Sequence, residues 1–222
     1  MSKPCATSLH SVLWTREVAA VLMSAVTRAY KARGECSVMI TGGRSAKCLY
    51  ETWAALPDFA GLTNIRFFFG DERCLPPNHT ESNYGLAMRT LFRHGIPKSC
   101  EVMRMSGEHP DPEVAAATYE ALLPERIDVL LLSMGEDGHI ASLFPHSLSL
   151  LETRRRVVHV VAPKPPLERL TVTPVVINQA RQVFVISIGK VKTQVYRRAQ
   201  LAPQDITEIP ARLVLNANWF LG

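Results

Sequence analysis

The sequence predicts an open, mainly parallel α/β sheet of the Rossmann-like kind, with helices on both faces and room for a small secondary lobe. Three observations carry this. Short apolar runs of strand length alternate with stretches of helical periodicity along most of the chain. Several of those runs end in glycine, as strands do where the chain turns into a helix. One run, at 129–134, is continuously apolar, as expected of a central strand covered on both faces.

Taken in order, residues 12–30 place Val18, Val21, Leu22, Ala25, Val26 and Ala29 three or four apart, an amphipathic helix with Gly34 as its stop. Residues 37–41 form a short strand ending at Gly42 and Gly43, and 45–56 supply the helix after it. The unit repeats with a strand at 65–69, an irregular loop through Pro76 and Pro77, and a helix over 82–92. Asp111 then caps a helix running to Leu123, with Pro112 in its first turn. After the 129–134 strand, runs at 157–162, 182–188 and 213–215 have strand character, with a helix over 192–201 between the last two. The stretch 163–166 marks a loop and a sub-domain border. No internal repeat interrupts the alternation, so residues 1–222 read as a single domain with right-handed crossovers.

Composition excludes several classes. The 222 residues are 47% hydrophobic and 20% charged with a net charge of +5, which rules out disorder as the dominant state. No apolar run approaches the roughly 18 residues that span a bilayer, and the first residues carry no block of signal-peptide length. The five cysteines, Cys5, Cys36, Cys48, Cys74 and Cys100, are odd in number and scattered, which fits neither a disulfide framework nor a zinc ribbon. A reducing cytoplasm is the expectation. Arg154, Arg155 and Arg156 lack the interleaved aromatics that stack bases, so a small anionic substrate accounts for the positive charge without nucleic acid. Oligomeric state stays open between a monomer and a weak dimer.

In open α/β sheets ligands bind beyond the carboxyl ends of the strands, so the loops there should hold the chemistry. The first, Gly42, Gly43, Arg44 and Ser45, combines glycines that admit a ligand to the backbone with a helix N-terminus and a cation, an arrangement suited to phosphate. Its spacing matches neither a Walker A loop nor a dinucleotide turn, and taken alone it is equally a tight turn that needs glycine for its backbone angles. The second, Asp71, Glu72 and Arg73, offers a carboxylate for a substrate hydroxyl and a guanidinium for phosphate. Read without the rest, it is equally a solvated cluster pairing its own charges. Cys74 beside it reads as a buried filler. The third loop, 135–145, delivers His139, whose ordinary pKa near 6.5 suits proton exchange with water and a leaving oxygen. Either Asp137 or Asp71 can orient it. His139 and His146 do not make a metal-ligand spacing, and Ser142 lacks the glycine frame of a serine nucleophile. His10, His79, His94, His109 and His159 carry no motif.

Together these stretches resemble the 6-phosphogluconolactonase family, within the wider group of sugar-phosphate isomerases and deaminases. The resemblance rests on 40–45, on 70–77 with Ser82, Asn83, Tyr84 and Gly85, on 134–145, on Glu168, Arg169, Leu170 and Thr171, and on 189–192. It implies hydrolysis of 6-phospho-D-glucono-1,5-lactone in the oxidative pentose phosphate pathway, without metal or organic cofactor. It further implies His139 as the acid/base, Asp71 and Arg73 in the substrate site, and Arg169 and Lys192 on the phosphate. Arg44 departs from the small residue many relatives place there. Glucosamine-6-phosphate deaminases share the Asp-Gly-His-Ile-Ala stretch but carry a glutamate where this chain has Phe144, which cannot orient a histidine by hydrogen bonding. A deaminase-like enzyme and a non-catalytic sugar-phosphate sensor are the alternatives.

Overall fold

The computed structural model describes residues 9–203 and 205–222, with side chains from residue 12 onward. Cys5 and the side chain of His10 lie outside the described residues. In chain order the elements are α1 (Leu9–Arg33), β1 (Cys36–Ile40), α2 (Arg44–Ala54), β2 (Ile65–Phe69), β3 (Asp71–Arg73), α3 (Asn83–Arg89), β4 (Glu101–Val102), α4 (Pro112–Leu122) and β5 (Val129–Ser133). There follow β6 (Val157–Val161), β7 (Glu168–Val172), α5 (Pro174–Gln179), β8 (Val183–Ser187), α6 (Lys190–Ala199) and β9 (Asn218–Leu221).

Six strands form a parallel sheet in the order β4-β2-β1-β5-β8-β9, the α/β arrangement that the alternation predicts. Alternation of side chains divides the core in two. Val38, Ile40, Phe67, Phe69, Val129 and Leu131 meet Val18, Leu22 and Val26 of α1 and Leu49 and Trp53 of α2. Met39, Phe68, Leu130, Leu132 and Val185 meet Tyr119 of α4, Val195 of α6, and Leu170 and Val172 of β7. The sheet is therefore buried on both sides, which explains the unbroken apolar runs of its inner strands.

Local signals place the helix ends. Gly34 adopts φ +76° and donates to the Tyr30 carbonyl at 2.7 Å, a left-handed stop for α1. Asp111 Oδ1 accepts from the backbone N–H groups of Glu113 (2.9 Å) and Val114 (3.3 Å) to start α4.

Some expectations need correction. Residues 213–215 are not a strand: Leu213 and Val214 lie in a 3-10 helix, Pro210–Val214. The last strand is β9, at the sheet edge, where the apolar run Trp219, Phe220 and Leu221 is short and only partly buried. The segment Asp71–Arg73, expected as a loop, is instead β3, pairing antiparallel with β7, which in turn pairs with β6. This three-stranded sheet is the small secondary lobe, and the 163–166 stretch is its β6–β7 connection. The strands β4 and β7 and the helix α5 have no counterpart among the predicted elements. Cys48 is disulfide-bonded, contrary to the expectation of reduced thiols, while Cys36, Cys74 and Cys100 are free. Two of the three consecutive arginines are structural. Arg155 Nε donates to Glu120 at 2.8 Å and Arg156 Nη2 to the Pro124 carbonyl at 2.6 Å.

The strand order also locates the crevice. From β1 the chain proceeds to β2 on one side, while β5 lies on the other, so the loops leaving β1 and β5 diverge and open a gap at the carboxyl edge.

Candidate active site

A cleft of about 700 Å³ opens at that gap. The first loop, Gly42 to Ser45, forms one wall, and Asp71, Arg73, His139, Arg169 and Lys192 line the rest. Asp137 stands behind His139. Residues from both sheets thus meet in one site, which is the grouping the three loops and the later basic residues predict.

His139 is seated by two glycines and an aspartate. A Cβ on Gly135 would lie 2.0 Å from His139 Cε1 and 2.1 Å from Nδ1, so the imidazole occupies the space that any larger residue would fill. Gly138 takes φ +85°, and the turn closes with the Gly135 N–H donating to the His139 carbonyl at 2.8 Å. Asp137 Oδ1 accepts from the His139 backbone N–H at 3.2 Å and pairs with Nδ1 of the ring. The choice between Asp137 and Asp71 is thereby made: Asp137 holds the histidine.

Burial works against the charge of Asp137, but its hydrogen bonds and ion pairing with His139, helped by Lys164, outweigh it and hold the carboxyl well below the usual carboxylate range. An ionised carboxylate only accepts hydrogen bonds. Nδ1 must therefore carry a proton, and in the neutral ring the lone pair is on Nε2, which has no protein partner among the described residues.

Asp71 has a different employment. Its Oδ2 accepts from Ser142 Oγ at 2.7 Å and its Oδ1 from Asn83 Nδ2 at 3.0 Å, so it does not orient His139. Ser142 is fully buried and is a tether, not a nucleophile. Asn83 in turn packs on the first loop: a Cβ on Gly42 would fall 1.8 Å from Asn83 Oδ1. Gly42 is thus required by a neighbouring side chain, whereas Gly43, at φ +91° with nothing near its Cβ position, leaves the backbone open to the cleft. Nor is the second loop a solvated cluster. Glu72 is 2% exposed and accepts from the N–H groups of Arg73, Asn83 and Tyr84 and from Ser82 Oγ, at 2.7 to 2.9 Å, fastening β3 to the start of α3.

The cations form two groups. Arg73 and Arg169 are directly paired residues of the β3–β7 ladder. Arg73 Nη1 bonds the Glu81 carbonyl and lies 3.3 Å from its carboxylate, and Arg169 Nε donates to the Pro166 carbonyl at 2.9 Å. Burial lowers the pKa of Arg169, with Asp71 opposing and Arg73 adding to the effect. Lys192 and Arg44 sit in the first turns of α6 and α2, whose N-caps, Gly189 and Gly43, provide no side-chain cap. Unpaired N–H groups and cations together favour an anion there. Burial also lowers the pKa of Lys192, with Arg44 and Lys164 contributing and Glu136 and Asp137 opposing.

Lys164, which belongs to none of the three loops, lines the cleft and places Nζ 3.9 Å from Asp137 Oδ2. Its only local signal is a cation set between prolines. Cys74 is half-buried, and burial with nearby Glu168 and Glu72 pushes its thiol up to about 11, as befits a filler. Among the described residues no group of three or more His, Cys, Asp or Glu could hold a metal ion.

Comparison with known proteins gives a consistent result. A family model described as glucosamine-6-phosphate isomerases/6-phosphogluconolactonase matches residues 11–220. The chain is 34% identical to 6-phosphogluconolactonase of Pseudomonas putida over 224 residues, 96% of this chain and 91% of that protein. It is 34% identical to the 6-phosphogluconolactonase of Mycobacterium tuberculosis over 204 residues, covering 86% and 82% respectively. Among solved structures, 6-phosphogluconolactonase from Shewanella baltica shares the fold with a TM-score of 0.85 over 95% of this chain and 93% of that one, at 24% identity. That from Trypanosoma cruzi superposes with a TM-score of 0.77 at 26% identity, over 100% and 90%.

Proposed function

The chain belongs to the glucosamine-6-phosphate isomerase/6-phosphogluconolactonase family, and from that premise we propose that it hydrolyses 6-phospho-D-glucono-1,5-lactone to 6-phospho-D-gluconate in the pentose phosphate pathway. The observation that carries the reading is His139, held through Nδ1 by an ionised Asp137, with Nε2 unpartnered among the described residues in a cleft walled by Arg44, Arg73, Lys164, Arg169 and Lys192.

The phosphate docks on the Gly43 backbone, Lys192 and Arg169, and this remote grip orients the lactone carbonyl beside His139. Nε2 removes a proton from water as the water oxygen bonds to the carbonyl carbon. The tetrahedral intermediate then collapses with cleavage of the bond to the ring oxygen, which takes the proton back from Nε2. The products are a hydroxyl and a carboxylic acid that ionises to carboxylate. Asp137 stabilises the transient imidazolium, and general acid/base help of this kind supplies about 100- to 10,000-fold. Asp71, tied to Ser142 and Asn83, fixes the second and third loops relative to one another and offers its remaining acceptor capacity to substrate hydroxyls. No metal or organic cofactor takes part in this scheme.

The described residues act as one catalytic domain, and the cytoplasmic location expected for such an enzyme is part of the proposal. Among those residues no helix is long and apolar enough to cross a membrane. The test is a coupled assay started from the lactone and corrected for spontaneous ring opening. Acceleration above the uncatalysed rate supports the reading, and its absence overturns it. Glucosamine 6-phosphate should release no ammonia, because Phe144 provides no second carboxylate at the histidine.

A further inference from the structure

The ring of Phe144 touches two functional groups that come from different sheets. Its centroid lies 4.8 Å from that of the His139 imidazole, tilted by 41°, and 5.3 Å from the guanidinium carbon of Arg169. Only 3% of Phe144 is exposed. His139 belongs to the loop after β5 and Arg169 to β7, and no hydrogen bond joins them among the described residues. Among the described residues Arg169 is hydrogen-bonded only through Nε, to the Pro166 carbonyl, so its position depends on what packs against the rest of the guanidinium.

A buried phenyl ring suits this place for three reasons. Its negative face attracts the guanidinium. Its two torsions leave little freedom once packed. It has no hydrogen-bonding atom, so it cannot compete with Asp137 for Nδ1 or occupy Nε2.

We propose that Phe144 is a positioning residue that couples the anion-gripping guanidinium of Arg169 to the imidazole of His139, so that docking of the anion sets the ring and the ring sets the proton acceptor. The catalytic half of this inference rests on the lactone-hydrolase reading above, whereas the coupling between the two contacts is independent of the reaction.

The test uses the full chain as wild type, Phe144→Leu, which keeps an apolar side chain without the ring, and Phe144→Tyr, which keeps the ring. Inorganic phosphate is titrated into each while the His139 ring protons are followed by NMR, and kcat and KM for the lactone are measured separately. Wild type should show His139 resonances that move as phosphate saturates. Phe144→Leu should bind phosphate about threefold to thirtyfold more weakly, lose that response even at saturation, and lower kcat by about tenfold to a hundredfold. Phe144→Tyr should recover the response and most of the rate. The proposal is overturned by wild-type resonances that ignore phosphate, by a full response in Phe144→Leu, or by unchanged kcat in that variant. If wild type failed to open the lactone, the functional reading would fall, and the phosphate response would still decide whether Phe144 couples the two groups.

Discussion

Arg73 and Arg169 stand opposite one another in the antiparallel β3–β7 ladder, two guanidinium-bearing residues on directly paired positions beside the same cleft. Like charges placed so cost stability unless something neutralises them. Glu81 partly serves Arg73, while Arg169 has Asp71 as a nearby charge but no carboxylate in salt-bridge contact among the described residues. A bound dianion removes the conflict. Inorganic phosphate should therefore raise the Tm of the wild-type protein, by an amount that grows with its concentration, and raise that of Arg169→Ala much less. Equal shifts in both proteins, measured by thermal unfolding, would show that the anion sits elsewhere.

For the histidine, His139→Ala should lower kcat by about 100- to 10,000-fold with KM little changed, since in the proposed mechanism the ring acts on protons and does not hold the phosphate. The uncatalysed opening of the lactone must be subtracted in the same buffer, or a weak variant will look active.

Gly135 provides a test of position as distinct from chemistry. The alanine Cβ of Gly135→Ala would land 2.0 Å from His139 Cε1 and force the imidazole aside while every catalytic residue remains present. A displacement of about 1 Å costs on the order of 100-fold in rate. The expected result is a fall in kcat of that order. A variant with normal kcat would mean that the seat of the ring is not critical.

Two buried tyrosines do the same local work with different functional consequences. Tyr50 OH accepts from the Thr41 N–H at 2.9 Å and donates to its carbonyl at 2.5 Å, while Tyr119 OH accepts from the Phe69 N–H at 2.7 Å and donates to its carbonyl at 3.1 Å. Each Tyr→Phe change strands backbone groups at a strand end and should cost about 1–3 kcal/mol, or roughly 2–4 °C in Tm per kcal/mol. Thr41 lines the cleft and Phe69 does not. Tyr50→Phe should thus also raise KM, whereas Tyr119→Phe should leave it unchanged.

If Lys192 grips the phosphate as proposed, it sets the alkaline limb of the pH profile. Its pKa is lowered, chiefly by burial, so on raising the pH it loses its proton earlier than an ordinary lysine near 10.4. The cation, and with it part of the proposed phosphate grip, disappears in that direction. KM should therefore rise on the alkaline side before the usual lysine range is reached. Lys192→Arg, whose guanidinium stays charged, should remove the rise, though its altered geometry changes KM at neutral pH.

Much of this protein was legible in short stretches of sequence. The period of apolar residues marks α1, the continuous run at 129–134 marks a doubly covered strand, and Asp111 with Pro112 marks the start of α4, because each depends on contacts a few residues away. The loops carrying Gly42, Asp71 and His139 could be placed at one edge because parallel strands all deliver their carboxyl ends to the same side. What the tertiary structure alone decided was the pairing of distant segments. Asp137 and His139 are neighbours in one loop, but that Asp71 is taken up by Ser142 and so leaves the histidine to Asp137, that Arg73 faces Arg169, and that Phe144 beside His139 also meets Arg169 all depend on strand partners and register. Those are set by burial and hydrogen bonding summed over the whole chain, and no window of sequence contains them.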